Sequence, residues 1–224
     1  MTTSVTAEAA MRWLHDEGLA RLAGTGGGTA EALCAFTIEV ATGTVIGYPV
    51  VGAGPGADVL TLAADALPAP QPSVGRLVIV GRTFAESILV VDLATVPSIA
   101  IDGAVPEATA RAWVLQLLLN PQVTITTNSG AIGGAGLPRC SHTFIPGGGA
   151  TIVNVDDKRL PVTAIRLSPA ENGPDYADIA ADGTGELYLG PRCWRLQQAL
   201  LVDDEKWRSL AATLEQEQEQ EQTA

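Results

Sequence analysis

Two groups of residues in this sequence have types and spacing that chemistry could use. The first is VVGAGPGADVLTLAADAL, residues 50–67, which matches the pattern GxGxxG/A through Gly52, Gly54 and Ala57. Small residues at those positions let a backbone approach a pyrophosphate at a helix N-terminus. Arg82 then follows the strand-like run LVIVG, where a ribose-binding acid usually stands, and an arginine there suits a 2′-phosphate. A dinucleotide site of this kind also needs a parallel β–α–β unit, whereas the strands after the loop look antiparallel. The plainer reading makes the loop a joint between a strand and a helix, with Gly52, Gly54 and Gly56 supplying backbone freedom.

The second group is Cys140 and His142, two apart, which on a strand would face the same way and could form a thiolate–imidazole pair. No third partner is assignable, so packing and a turn contact are the simpler roles. Asp175, Asp178, Asp182 and Glu186 could hold calcium, but the DxDxDG register is absent and Asp182-Gly183 is explained by a hairpin turn. The chain has no GxSxG, HExxH or GxxxxGK[ST] string. These residues predict no catalytic site, no metal site and no cofactor. Gly52, Gly54, Ala57 and Arg82 remain as the alternative, dinucleotide-binding reading.

Composition narrows the partners. Of 224 residues, 46% are hydrophobic but only 4% aromatic, so the core must be built from Val, Ile, Leu and Ala. A net charge of −12 makes the chain acidic and argues against binding the phosphate backbone of nucleic acid. Seven of the 25 acids fall in residues 203–224, so much of that charge belongs to the tail. Three widely spaced cysteines with no CxxC predict reduced thiols, and neither a signal peptide nor a membrane-spanning run is visible. A cytoplasmic protein without membrane insertion is the expectation.

The elements that would position these residues follow from periodicity. A helix is predicted over 6–23, capped by Thr6, with Ala7, Ala10, Met11, Leu14, Gly18 and Leu22 on one face. LCAFTIEV and TVIGYPVV flank a short glycine-containing gap and predict a hairpin. Val59, Leu62, Ala63 and Ala66 predict a short helix. GRLVIVG, ESILVVDL and VPSIAID predict three strands whose connections are too short for crossover helices, hence antiparallel neighbours. A further helix carries Ala110, Trp113, Val114, Leu117 and Leu118 on one face. Beyond residue 120, VTITTN, ATIVNVD, PVTAIRL and GELYLG predict strands. A last helix bears Trp207, Leu210, Ala211 and Leu214, and EQEQEQEQ should fray into solvent.

Through residue 119 this order is helix, hairpin, helix, three strands, helix. On the hairpin FTIEVATGTVIGYPV, the helix ADVLTLAADAL and the strands LVIVG, SILVVDL and SIAID, it resembles the roadblock/LC7 family. The resemblance implies an α+β fold, an antiparallel sheet flanked by helices in a roadblock/profilin-like arrangement. It also implies a homodimer acting as an adaptor or regulator of a small Ras-like GTPase. The organisation expected is a roadblock-like domain over 1–119, a β-rich extension over 120–202, and a C-terminal helix with an acidic Glu/Gln tail over 203–224. The functional expectation is a non-enzymatic interaction or regulatory module.

Overall fold

In the computed structural model, which describes residues 6–25, 32–50, 59–134, 136–145, 150–157 and 160–223, the apolar runs assemble into one sheet. Its strands are β1 (Leu33–Glu39), β2 (Thr44–Pro49), β3 (Leu60–Ala63), β4 (Leu77–Thr83), β5 (Ser87–Asp92), β6 (Ser98–Gly103), β7 (Val123–Thr127), β8 (Cys140–His142), β9 (Thr151–Asp157), β10 (Thr163–Leu167), β11 (Asp175–Ile179), β12 (Gly185–Leu189) and β13 (Arg192–Ala199). They lie in the order β3-β2-β1-β5-β4-β13-β12-β11-β6-β10-β9-β7-β8. Helix α1 (Ala7–Trp13) runs through a π-helical turn, Leu14–Gly18, into α2 (Leu19–Thr25); α3 (Pro106–Leu118), α4 (Gly130–Gly133) and α5 (Asp204–Thr223) follow.

The roadblock-like fold class is therefore corrected. The chain is 39% strand and 28% helix and forms a large mixed sheet, not a small sheet flanked by helices. Two local differences account for this. The predicted helix within ADVLTLAADAL is instead strand β3 and a 3-10 turn over Ala64–Ala66. Leu60 and Leu62 face the core at a spacing of two, with exposed Thr61 and Ala63 between them, and strand period prevails over helical period. The second difference is β6. It does not pair with β5 but lies between β10 and β11, parallel to both. Its Ile99, Ala100 and Ile101 are fully buried, the pattern of a strand covered on both faces. β4 and β5 do pair antiparallel, as predicted.

The sheet must curl. Asp92 and Ser98 end β5 and begin β6, which are five places apart in the strand order. On a flat sheet that separation is about 24 Å, whereas the six steps from Asp92 to Ser98 reach at most about 22 Å fully extended. They include a 3-10 turn, Leu93–Thr95, that shortens them further. Helix α3 gives the same result, because it packs on β4, β6, β10 and β7, which span most of the sheet. The sheet wraps this helix, so Ala110, Ala112, Trp113, Val114, Leu117 and Leu118 are all buried, with Thr109, Arg111 and Gln116 besides. An all-round buried helix needs no single apolar stripe.

Gln116 fills a gap in the wall. β13 pairs with β4 only from Gly81 to Thr83, leaving the outer edge at Ile79 without a strand. The Gln116 amide takes that place: its oxygen accepts from Ile79 N at 2.7 Å and its nitrogen donates to Ile79 O at 3.0 Å. Alternate residues of β1, β4 and β5 face the core around α3, and the intervening ones face a second core beneath α1 and α2. Thr6 caps α1 by accepting from Ala9 N, as its position predicted. Strands from either side of residue 120 interleave: β13 pairs with β4, and β6 lies between β10 and β11. The C-terminal helix forms as expected but continues through the Glu/Gln run to Thr223.

Candidate functional site

Curling brings β2 across the sheet onto β13, though β1, β5 and β4 lie between them in the strand order. The rings of Tyr48 and Trp194 meet edge to face, with centroids 5.2 Å apart and planes at 80°. Arg192 donates to the carbonyl of Pro49 at the same seam. The five strands β2, β1, β5, β4 and β13 thus close into a roll, and its end is a mouth of about 380 Å³. That volume suits a small ligand or an inserted side chain, which pockets of about 300–1,000 Å³ accommodate.

The register sets what lines the mouth. Ala35 and Thr37 are two apart on β1, opposite Tyr48 and Ile46 of β2. Ser87 stands opposite Glu39 on the same face, and Thr83 completes the floor beside it. Thr37 and Thr83 are only 6% and 4% exposed, so their hydroxyls sit at the base of the opening rather than in bulk solvent. Thr37 Oγ1 and Tyr48 Oη are 3.2 Å apart. Thr83 Oγ1 accepts from Ser87 N, and Ser87 Oγ donates to Ala85 O.

The lip is formed by the β4–β5 turn and by Arg195. Phe84 is 53% exposed, its N–H donates to Arg195 O, and the Arg195 guanidinium lies 5.2 Å from its ring centroid. Among the described residues, no carboxylate or imidazole lines the mouth. Cys193, also at the lip, is an exposed thiol. Opposite it on β12, Tyr188 donates to Glu186 at 2.6 Å, and that bond, with a second to Cys193, holds the phenol well above its ordinary range.

The residues singled out in the sequence lie elsewhere. Gly52, Gly54 and Ala57 fall outside the described residues. The strands on either side of that loop, β2 and β3, are antiparallel, and β3 stands where the cradle would need a helix. Arg82 is on β4, next to Thr83 and so on the face opposite the mouth, where its guanidinium pairs with Glu86. Cys140 and His142 share β8, but burial pushes the Cys140 thiol up to about 11, so it is protonated at neutral pH. His142 Nε2 lies 3.3 Å from the carbonyl of Asn128.

Asp175, Asp182 and Glu186 have structural partners, and Asp178 is exposed on β11 opposite Glu186. Asp175 accepts from Gly190 N, and Asp182 accepts from Thr184 N and Oγ1 in the β11–β12 hairpin turn, which lowers its pKa. Among the described residues no group of three or more His, Cys, Asp or Glu is placed to hold a metal ion. Nor, among them, is any helix long and apolar enough to cross a membrane.

Sequence reasoning did not single out Tyr48, Phe84, Trp194 or Arg195 as a group. The available signal was scarcity: three of the chain's ten aromatic side chains meet in this one opening. No protein-family model, curated protein or solved structure matches the chain.

Proposed function

We propose that this protein is a non-enzymatic interaction module that grips a partner by a group inserted into the mouth of the roll. The observation that carries this is the Tyr48–Trp194 contact, which closes β2 onto β13 and leaves an opening with aromatic walls and a hydroxyl floor. A cavity lined by aromatic rings, with a few convergent polar groups, is what binding sites have in common. Among the described residues the lining pairs aromatic rings with hydroxyls, which suits holding a group.

A cytoplasmic setting belongs to the same proposal, supported by three free cysteines, one of them exposed. So does homodimerisation, since β3 and β8 end the strand order with one side each unpaired by the described strands. A Ras-like GTPase partner is what the roadblock resemblance implies; the sheet order removes that support, and the proposal names no GTPase. The antiparallel β2–β3 pair likewise lends no support to a dinucleotide at residues 52–57.

The test is an NMR fragment titration of the full chain with single-ring aromatic probes. The expected result is a shift cluster at Thr37, Tyr48, Phe84, Ser87 and Trp194. Shifts centred elsewhere, or none at any probe, would remove the mouth from the function.

A further inference from the structure

We infer that the Asn172-Gly173 step between β10 and β11 is a self-modification site, where loss of ammonia from Asn172 turns a tether of that segment into a repulsion. The segment, residues 168–174, must cross β6, because β10 and β11 flank that strand and both run parallel to it. Ile99 and Ile101 of β6 face the core around α3, so Ala100 faces the other way, yet it is 0% exposed. Arg166 stands beside Ala100 and donates to Glu171 O at 3.3 Å and Asn172 O at 2.9 Å, which places the crossing on this outward face. Asn172 supplies a further tether: its Nδ2 donates to Asp102 Oδ2 at 3.2 Å, while its buried Oδ1 accepts no hydrogen bond.

Among the four asparagines of the chain, this one is placed to react with its own backbone. Asn120 precedes Pro121, which has no N–H. Asn154 lies within β9, paired on both sides and followed by β-branched Val155. Asn128 is held at both ends of its amide, donating to Ala150 O and accepting from Ile152 N, and Ser129 N is engaged by Thr127 Oγ1. Gly173 has no Cβ to shield its nitrogen, sits at a φ of 76°, and makes no N–H hydrogen bond among the described residues. Once deprotonated by hydroxide, that nitrogen attacks Asn172 Cγ; the new C–N bond closes a succinimide as the Cγ–Nδ2 bond breaks and ammonia leaves. Water then opens the ring at Cγ to give aspartate, or at the backbone carbonyl to give isoaspartate. Both products put a carboxylate, which cannot donate, where an amide donated to Asp102.

The experiment ages the full chain in mildly alkaline buffer and follows every asparagine by peptide mass spectrometry. The Asn172 peptide should take up the mass of an amide-to-acid exchange, as both aspartate and isoaspartate, at least about tenfold faster than any other. Conversion elsewhere first, or none at Asn172, overturns the site. Hydrogen exchange then tests the consequence in two variants, Asn172→Ser, which removes the donor, and Asn172→Asp, which also adds the charge. Asn172→Asp should speed exchange of the amides of 168–174 by up to about fivefold more than Asn172→Ser, the coupling of one exposed charge pair. Adding Asp102→Asn to both variants should close that gap. Equal exchange in the two variants, or a gap that survives Asp102→Asn, overturns the repulsion while leaving the modification.

Discussion

The side-chain amide of Gln116 makes to Ile79 the two hydrogen bonds that a neighbouring strand would make. An interior helix thereby becomes part of the wall of the roll. Gln116→Leu keeps a similar volume but strands both Ile79 backbone groups in the core, at a cost of about 2–4 kcal/mol. Urea unfolding measures that loss, and hydrogen exchange should show the Ile79 amide among the most accelerated. Gln116→Glu separates the two bonds. As a carboxylate it can accept from Ile79 N but faces the lone pairs of Ile79 O, so its pKa is raised and the protonated form is favoured in the fold. A raised carboxyl pKa adds stability below its unfolded value that is lost as pH rises through the folded value. The deficit of Gln116→Glu against wild type should therefore grow as pH rises above about 4.3, the unfolded glutamate value. A deficit that does not change with pH would contradict the assigned geometry.

Local structure was legible where one period explained each run. The β1–β2 hairpin forms around Gly43, whose φ of 71° belongs to the left-handed region, and α3 begins at Pro106 as the proline signals. Strand β11 was hidden in DYADI, where only Ala177 and Ile179 are apolar on the inner face and the flanking acids resemble a turn. β13, RCWRLQQA, was hidden by its polar outer face. The mouth had no local signature. Tyr48 and Trp194 meet only because the sheet rolls, and rolling depends on which strand pairs with which across the whole chain. β6 shows the same limit: the short connection after Asp92 suggested antiparallel neighbours, but on a curled sheet a short segment reaches a distant strand.

Two of the interactions that hold α5 to the body are unequal. Arg111 on α3 donates to Ala131 O and to Asp204 Oδ1 at 3.0 Å, while Trp207 is 1% exposed in the core around α3. Asp204 is 55% exposed, so its ion pair is screened, and Asp204→Ala should cost about 1 kcal/mol, less at high salt. Trp207→Ala removes a fully buried indole and should cost about 3–5 kcal/mol. Chemical denaturation of both variants in low and high salt checks the order. A larger effect at Asp204 would mean that α5 is held by charge.

Closure of the roll can be perturbed without unfolding its core. Trp194→Ala removes the ring that meets Tyr48 and should cost about 2–3 kcal/mol, of which the edge-to-face contact itself is about 1 kcal/mol. Tyr48→Phe keeps the ring and loses only the hydroxyl contact with Thr37, about 0.5–1.5 kcal/mol. Hydrogen exchange should then show selective loss of protection in β2 for Trp194→Ala and near wild-type protection for Tyr48→Phe. Uniform loss across β4, β5 and β13 in Trp194→Ala would show that the seam supports the whole sheet rather than closing one end of it.

The three thiols should separate by access and by pH. Cys193 is exposed, whereas Cys34 and Cys140 are buried, so native alkylation should stop at Cys193 and Cys193→Ser should abolish it. Burial raises Cys140 from 9.0 to about 11, so between those values the folded state binds more protons than the unfolded one. Stability is then intact below the unfolded pKa and falls as pH rises towards the folded pKa, by up to about 2–3 kcal/mol from this group. Cys34 is also raised, by burial partly offset by Arg192, and contributes with the same sign. Denaturant unfolding of Cys140→Ala across about pH 8 to about pH 11 should show a shallower decline than wild type, yet not a flat one. Parallel declines would place the Cys140 thiol in contact with water, against the packing of β8 on β7.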